Sequence, residues 1–354
     1  MANLLQNIFS LPEIIGNFFK SYHMRHQSFI HRRLFVMNKV FPVSLIIGLG
    51  MGASALAADL GPLVSAEELQ QADRDKLVIL DIRSLTGSKE KPQNPYDEGH
   101  IAGAISAPYP KGWRVEREGI PGMLPTIPAL EAFLSELGVN NDNHVVVVSE
   151  GKGPSDMGAA TRAYWTLKYL GHDAVSVLDG GFEAWKAKKL AVNKEAVKPE
   201  IGMFSANPQP QLLSSTEQVA EHQAAGGMTV DGRPTSQFQG KEKHPAAARF
   251  GRILDALNLD QSSQFQAGTA LFKPVEELKR NNAAVIGNEQ PVVSYCNSGH
   301  WAANNWFVLH ELLGKSNVSL YDGSMIAWSR NQNLAMASER TRLDDLKDWV
   351  RNLW

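Results

Sequence analysis

The sequence predicts an α/β protein built from two copies of one unit, each a parallel sheet flanked by helices on both faces. Three observations carry this expectation. The segments "GHDAVSVLDGGFEAW" at 171–185 and "GKSNVSLYDGSMIAW" at 314–328 share Gly, Val, Ser, Asp, Gly, Ala and Trp in register, the mark of a repeated supersecondary unit. The apolar runs at 77–80, 145–148 and 175–178 alternate with helical stretches, as strands buried on both faces do. Between the copies, "AVKPEIGMFSANPQPQ" at 196–211 is rich in proline and lacks a sustained period, which reads as a linker.

Taken in order, the chain opens with an address. After Arg32 and Arg33 comes "MNKVFPVSLIIGLGMGASALAADL", a basic start, an apolar run and a small-x-small site, the pattern of a secretory signal with cleavage expected after Ala57. The run is short for a membrane span of about 20 residues, so export to the periplasm with no stable membrane insertion after cleavage is expected. Met37 gives a far more typical signal start than Met1, and residues 1–36 read as an over-extended reading frame. Their stripe of Leu4, Ile8, Leu11, Ile15 and Phe18 is alternatively a surface-lying amphipathic segment.

The first unit is expected over 61–190, with "LDIRS" at 80–84 and "GHIAGA" at 99–104, and the linker over 191–211. The second unit, 212–335, answers with "VDGRP" at 230–234 and "GRILDA" at 251–256, and a C-terminal helix is expected over 336–354.

Composition narrows the function classes. With 43% hydrophobic and 20% charged residues the chain is ordinary globular material. A net charge of −2 offers no broad basic surface, so nucleic acid is not an expected partner. The single cysteine excludes an intramolecular disulfide, and the ten histidines are scattered without zinc-type spacing; no metal is expected.

That cysteine, Cys296, sits in "PVVSYCNSGHWAANNWFVLHELLGK" at 291–315. A β-rich run ends at Tyr295, and Ala302, Trp306, Leu309 and Leu313 recur at helical spacing up to Gly314. Strand, tight loop and helix would bring the N–H groups of Asn297, Ser298, Gly299, His300, Trp301 and Ala302 around the sulfur, with the helix terminus adding partial positive charge. Such a field lowers a thiol pKa from about 8.5 to roughly 3.5–7.5 and makes it a nucleophile. A buried cysteine acting as a small hydrophobe is the alternative. The corresponding loop of the first copy, "VVVVSEGKGPSDMGAATRAYW" at 145–165, has Ser149 at the strand end and no thiol; it reads as a degenerate loop rather than a hydrolase site.

Two units, each with Asp-x-Arg after a strand, a Gly-His-Ile-x-Gly-Ala-like segment and a closing Asp-Gly-Gly/Ser-Phe/Met-x-x-Trp, resemble the tandem rhodanese sulfurtransferases over roughly 61–335. The resemblance implies two rhodanese-like domains, the first non-catalytic, with the site in the cleft between them. It implies sulfur transfer from thiosulfate or 3-mercaptopyruvate to a thiol or cyanide through a persulfide on Cys296, without a cofactor. The departures matter. Family members that use thiosulfate tend to carry basic residues directly after the cysteine, where this chain has Asn297, and an arginine before the aromatic that follows Asp-x-Arg, where it has Gln237 before Phe238. The donor anion must find its cations elsewhere. Candidates are Arg233 and Arg252, with Lys241, Lys243, His244 and Arg249 near in sequence, although Arg233 is also a natural partner for Asp231, and Arg252, in the place of the usual histidine, has a structural reading too. His300 would add charge if protonated, or would merely shape the pocket beside Trp301.

Two rivals stand beside the enzyme. A cysteine phosphatase would need an arginine closing the loop, and none follows Cys296. A non-enzymatic persulfide relay serving a partner differs from the enzyme in ignoring free small donors.

Overall fold

Each half of the repeat buries its strands by period-2 alternation between two cores. The computed structural model describes residues 60–344 and residue 350; the expected signal and the segment before Met37 lie outside the described residues. The first sheet holds β1 (Leu63–Val64), β2 (Leu77–Asp81), β3 (Ile105–Ser106), β4 (His144–Val148) and β5 (Val175–Leu178), in the order β1-β5-β4-β2-β3, every pair parallel. The second holds β6 (Leu213–Ser214), β7 (Met228–Asp231), β8 (Leu257–Asn258), β9 (Val292–Tyr295) and β10 (Val318–Tyr321), in the order β6-β10-β9-β7-β8, again parallel. The two orders are the same, as a duplicated unit requires.

In β4, Val145 and Val147 face one core while Val146 and Val148 face another. The first of these cores continues through Tyr164, Trp165, Phe272, Trp306 and Phe307 into the second half. The outer faces are closed by smaller clusters around Phe182 and Trp185 in one lobe and Tyr321 and Trp328 in the other. Both lobes are thereby α/β layers joined along one seam, within a single compact unit.

The helices that matter for the site start beside the seam. α1 (Pro154–Tyr169) follows β4, α2 (Thr216–Ala224) follows β6, α3 (Ala302–Trp306) follows β9 and α4 (Ser324–Arg330) follows β10. Asn304 of α3 accepts from Thr161 of α1 at 2.8 Å and donates to the Pro154 carbonyl at 2.9 Å, a polar lock in the middle of an apolar contact.

Two expectations are corrected. The helix expected to run with one period to Leu313 changes to π form over Phe307–Leu312, where the Leu313 N–H reaches back five residues to Val308. The widened turn stacks His310 on Trp306, centroids 4.6 Å apart, while Trp306 donates to the Val318 carbonyl. Met336–Ala337, expected to open a C-terminal helix, pairs instead as a strand with Arg252–Ile253.

Candidate active site

The cysteine loop is shaped from below by α4. Cys296 N–H and Gly299 N–H both donate to Ser324 Oγ, at 3.1 and 3.0 Å, and that hydroxyl donates to the Tyr321 carbonyl at 2.8 Å. Met325 and Ile326 N–H groups then hold the carbonyls of Cys296 and Asn297, both at 3.0 Å. The amides of Asn297, Ser298, His300, Trp301 and Ala302 have no protein acceptor among the described residues. The expected ring of six loop donors is therefore five, because Gly299 is committed to Ser324.

The first copy shows the same frame with a serine in place of the thiol. Phe182 and Glu183 N–H groups hold the carbonyls of Ser149 and Glu150 at 2.8 and 2.9 Å, which makes Ser149 the register equivalent of Cys296. Ser149 is buried and donates to Met157 Sδ, and the Asp156 carboxylate accepts from the amides of Gly151 and Lys152. An internal anion occupies the loop donors. Gly181 closes this frame at φ +60°, where a Cβ would stand 2.6 Å from the Ser149 carbonyl oxygen.

Cys296 is 1% exposed and forms part of the wall of a cavity of about 300 Å³ with Asn297, Ser298, His300, Trp301 and His244 from the second lobe and Tyr109, Pro110, Arg114 and Ser155 from the first. A larger cavity, about 500 Å³, opens along the seam between Arg117–Met123 and Ser214–Gln218, but no cysteine or histidine lines it. The smaller cavity contains the thiol, and its size suits a small molecule.

One chain of hydrogen bonds fixes the protons in that cavity. His300 Nε2 lies 2.8 Å from the Ser155 carbonyl, which only accepts, so Nε2 carries the ring proton. Nδ1, 3.0 Å from the Tyr109 hydroxyl, is then the acceptor, and the Tyr109 oxygen in turn accepts from Arg114 Nη1 at 3.1 Å. Burial, reinforced by the nearby Arg114 charge, lowers the His300 pKa to about 4. His300 is neutral at physiological pH, which corrects the expectation that it supplies charge to the donor anion. Burial also raises the Tyr109 hydroxyl above its usual value, against the pull of Arg114 and Arg162, and keeps it a phenol able to donate to His300.

The sequence-predicted cations separate clearly. Arg233 is buried, donates twice to Asp231 and once to the Gly251 carbonyl, and does not line the cavity. Burial opposes its charge, but Asp231 outweighs that cost and Tyr295 and Cys296 add to it, so its pKa is raised. Arg252 lies over the Phe238 ring, 4.3 Å from the centroid, and reaches the Phe238 carbonyl and Glu339. Neither arginine is a wall residue, so both depart from the expected donor-binding role: each guanidinium is committed to bracing. Arg249 spends its donors on carbonyls at the end of α4, and Lys243 on the Ala247 carbonyl. Lys241 is exposed. Gln237 accepts from Asn297 Nδ2 at 2.8 Å, so the two neutral positions bond to each other, while Asn297 Oδ1 is buried without a partner among the described residues.

Arg114, with Tyr109, Ser155 and Ser324, is a site residue that sequence reasoning missed. It falls in "YPKGWRVEREGIPGMLP" at 109–125, between the repeated motifs, and only the aromatic and basic character of that stretch could have drawn attention to it. It stands at the base of a hairpin, Val115–Arg117 with Ile120–Met123, and donates from Nε to the Gly122 carbonyl at 2.7 Å and from Nη2 to the Ser298 carbonyl. Trp301 Nε1 donates to Ser155 Oγ at 2.9 Å. The first lobe thus holds both ends of the catalytic loop. A second tie lies behind it: Arg162 of α1, fully buried, pairs with Asp322 and donates to the Gly299 carbonyl at 3.1 Å.

Comparison with known proteins agrees with this geometry. The rhodanese-like domain family matches twice, over residues 65–188 and 215–331. A thiosulfate sulfurtransferase from Gallus gallus is 31% identical over 275 residues, 75% of this chain and 92% of the relative. The 3-mercaptopyruvate sulfurtransferase of Escherichia coli (strain K12) is 29% identical over 274 residues, 75% of this chain and 93% of the relative. Among solved structures, the 3-mercaptopyruvate sulfotransferase SseA from Escherichia coli superposes with a TM-score of 0.62 at 28% identity, over 76% of this chain and all of that one. With two copies of this domain matched over most of its length, the chain belongs to the rhodanese family.

Proposed function

We propose that this rhodanese-family sulfurtransferase moves one sulfane sulfur from a small anionic donor to a thiol or cyanide acceptor through a persulfide on Cys296. One observation carries the reading: the chain's one thiol lies in a cavity walled by both lobes, at the register where the first copy buries a serine under a methionine. With thiosulfate, the Cys296 thiolate attacks the outer sulfur. The bond between the two sulfurs of the donor breaks, and sulfite leaves with its electron pair. With 3-mercaptopyruvate, the same attack breaks the carbon–sulfur bond and releases the enolate of pyruvate, which takes up a proton. In either case Cys296 holds –S–S⁻. An acceptor thiolate or cyanide then attacks the outer sulfur and frees the Cys296 thiolate. The loop amides of Asn297, Ser298, His300, Trp301 and Ala302 face this negative charge as preorganised dipoles.

Mass spectrometry of the intact protein after exposure to each donor tests the reading. Wild type should gain one sulfur atom and lose it to cyanide, and Cys296→Ser should gain none while keeping its fold. Turnover by Cys296→Ser would overturn the mechanism, and a wild type that ignores both donors would point to the relay.

We also propose that the mature chain begins after Ala57 and works in the periplasm, on the support of the basic, apolar and small-residue pattern at 37–57. Intact mass of the protein from separated cell fractions checks it. A chain that keeps residues 37–57 in the cytosolic fraction would overturn it.

A further inference from the structure

We propose that Arg114, contributed by the first lobe, is the receptor for the donor's anionic group and sets a preference for donors with one negative charge at the recognition end over the thiosulfate dianion. The inference rests on the sulfur-transfer reading of Cys296. It begins from a deficit, since the two positions nearest the cysteine that would supply cations hold Asn297 and Gln237, which bond to each other. An anion entering a partly buried cavity loses hydration that a cation or strong donors must replace.

The cavity wall offers few sources of charge. His300 is held neutral by burial and by Arg114, with its pKa near 4. His244 is also lowered, by burial first and then by Lys243, and its Nδ1 accepts from the Ala246 N–H at 3.1 Å, which favours the uncharged ring. Arg162 is paired with Asp322, and Arg233 with Asp231.

Arg114 differs from all of these. No carboxylate pairs with it among the described residues, and its acceptors are all neutral: the Gly122 carbonyl, the Tyr109 hydroxyl and the Ser298 carbonyl. These bonds use three of the five guanidinium N–H groups. Two donors and an uncompensated charge remain on a side chain that shares the cavity wall with Cys296 and Asn297. The hairpin makes this cation rigid rather than a swinging surface arginine: a Cβ on Gly122 would collide with the guanidinium, and that glycine sits at φ +80°, so the turn is shaped around the side chain. A planar fork with two free donors matches a carboxylate in a bidentate pair. One such cation balances a carboxylate and leaves a dianion half-compensated.

The test separates charge recognition from loop bracing, because Arg114 also holds the Ser298 carbonyl and any variant will carry a loss common to all donors. Wild type, Arg114→Lys and Arg114→Gln are compared with 3-mercaptopyruvate, thiosulfate and an alkyl hydropersulfide, RS–SH, with an uncharged tail as sulfur sources; the last passes its outer sulfur to Cys296 while RS⁻ leaves. Wild type should use 3-mercaptopyruvate with higher kcat/KM than thiosulfate. In Arg114→Gln the ratio of kcat/KM for 3-mercaptopyruvate to that for the hydropersulfide should fall roughly 10- to 100-fold, the range for a lost charge-assisted hydrogen bond, and chiefly through KM. Arg114→Lys should recover part of that ratio. An unchanged ratio, with all donors falling together, would show that Arg114 only braces the loop and would overturn the proposal. Failure of wild type to load sulfur from any of the three would overturn the function reading instead, and this proposal with it.

Discussion

At the scale of single residues, proton placement decides what the pocket can do. His300 looks in sequence like a titratable cation beside the nucleophile. In the fold its two nitrogens are spoken for by Ser155 and Tyr109, and its pKa is near 4. Sulfur transfer from thiosulfate should therefore not rise as pH falls from 7 to 5.5, and a rise that vanishes in His300→Gln would show that the ring does charge. Stability follows with a definite sign. An unfolded histidine titrates near 6.5, so below that pH the unfolded chain binds a proton the folded chain refuses, and stability is lost as pH falls from about 6.5 to about 4. The loss is on the order of 2–3 kcal/mol and should be absent from His300→Gln. Asp179 titrates in the same range with the opposite sign, burial having pushed it up to about 6, and its contribution cancels when wild type and variant are compared by denaturant midpoints at each pH. Cys296 was legible in the sequence because strand, loop and helix patterns meet there. The state of His300 was not, because its partners lie more than a hundred residues away and in the other lobe.

At the scale of elements, the loop from β9 to α3 works because its turn has no side chain to spare. Gly299 has φ +70°, its amide is held by Ser324, and a Cβ there would collide with Arg162 Nη1 and lie 3.1 Å from the Asp322 carbonyl oxygen. Gly299→Ala should cost about 2–4 kcal/mol, combining the left-handed backbone with overpacking against a buried ion pair that cannot withdraw. Urea unfolding measures this, and a loss below about 0.5 kcal/mol, the size of an ordinary surface change, would mean that the loop is loose. The repeated motifs made the strands and both strand-end loops readable, since the same residues do the same work twice. The π turn after Trp306 was hidden, because Trp306, Leu309 and Leu313 keep ordinary α-helical spacing through it. The Met336–Ala337 strand was hidden for a different reason: its partner, Arg252–Ile253, was read as part of the repeat rather than as an open edge.

At the scale of the whole molecule, the first lobe carries Ser149 where the second carries Cys296 yet remains part of the site, because the seam is where the loop is held. Arg162 and Asp322 are both almost fully buried and pair across the two lobes; Asp322 also accepts the Leu124 N–H at 2.7 Å, and Arg162 donates to the loop at Gly299. Removing one partner leaves a charge in a low-dielectric seam, which costs about 3–5 kcal/mol, whereas removing both removes the uncompensated charge as well. Arg162→Met alone should therefore destabilise by about that amount, and the double variant Arg162→Met with Asp322→Asn should be no less stable than Arg162→Met. The coupling in this cycle should reach about 2 kcal/mol or more. Because one apolar core runs through both lobes, wild type should unfold in a single denaturant transition, with fluorescence and circular dichroism curves coinciding. Sulfur loading of Cys296 should fall in Arg162→Met even under conditions where the protein stays folded, since the Gly299 carbonyl loses its donor. Additive losses in the cycle, or two separate transitions, would mean that the lobes are held together by packing alone and that the catalytic loop does not depend on the ion pair behind it.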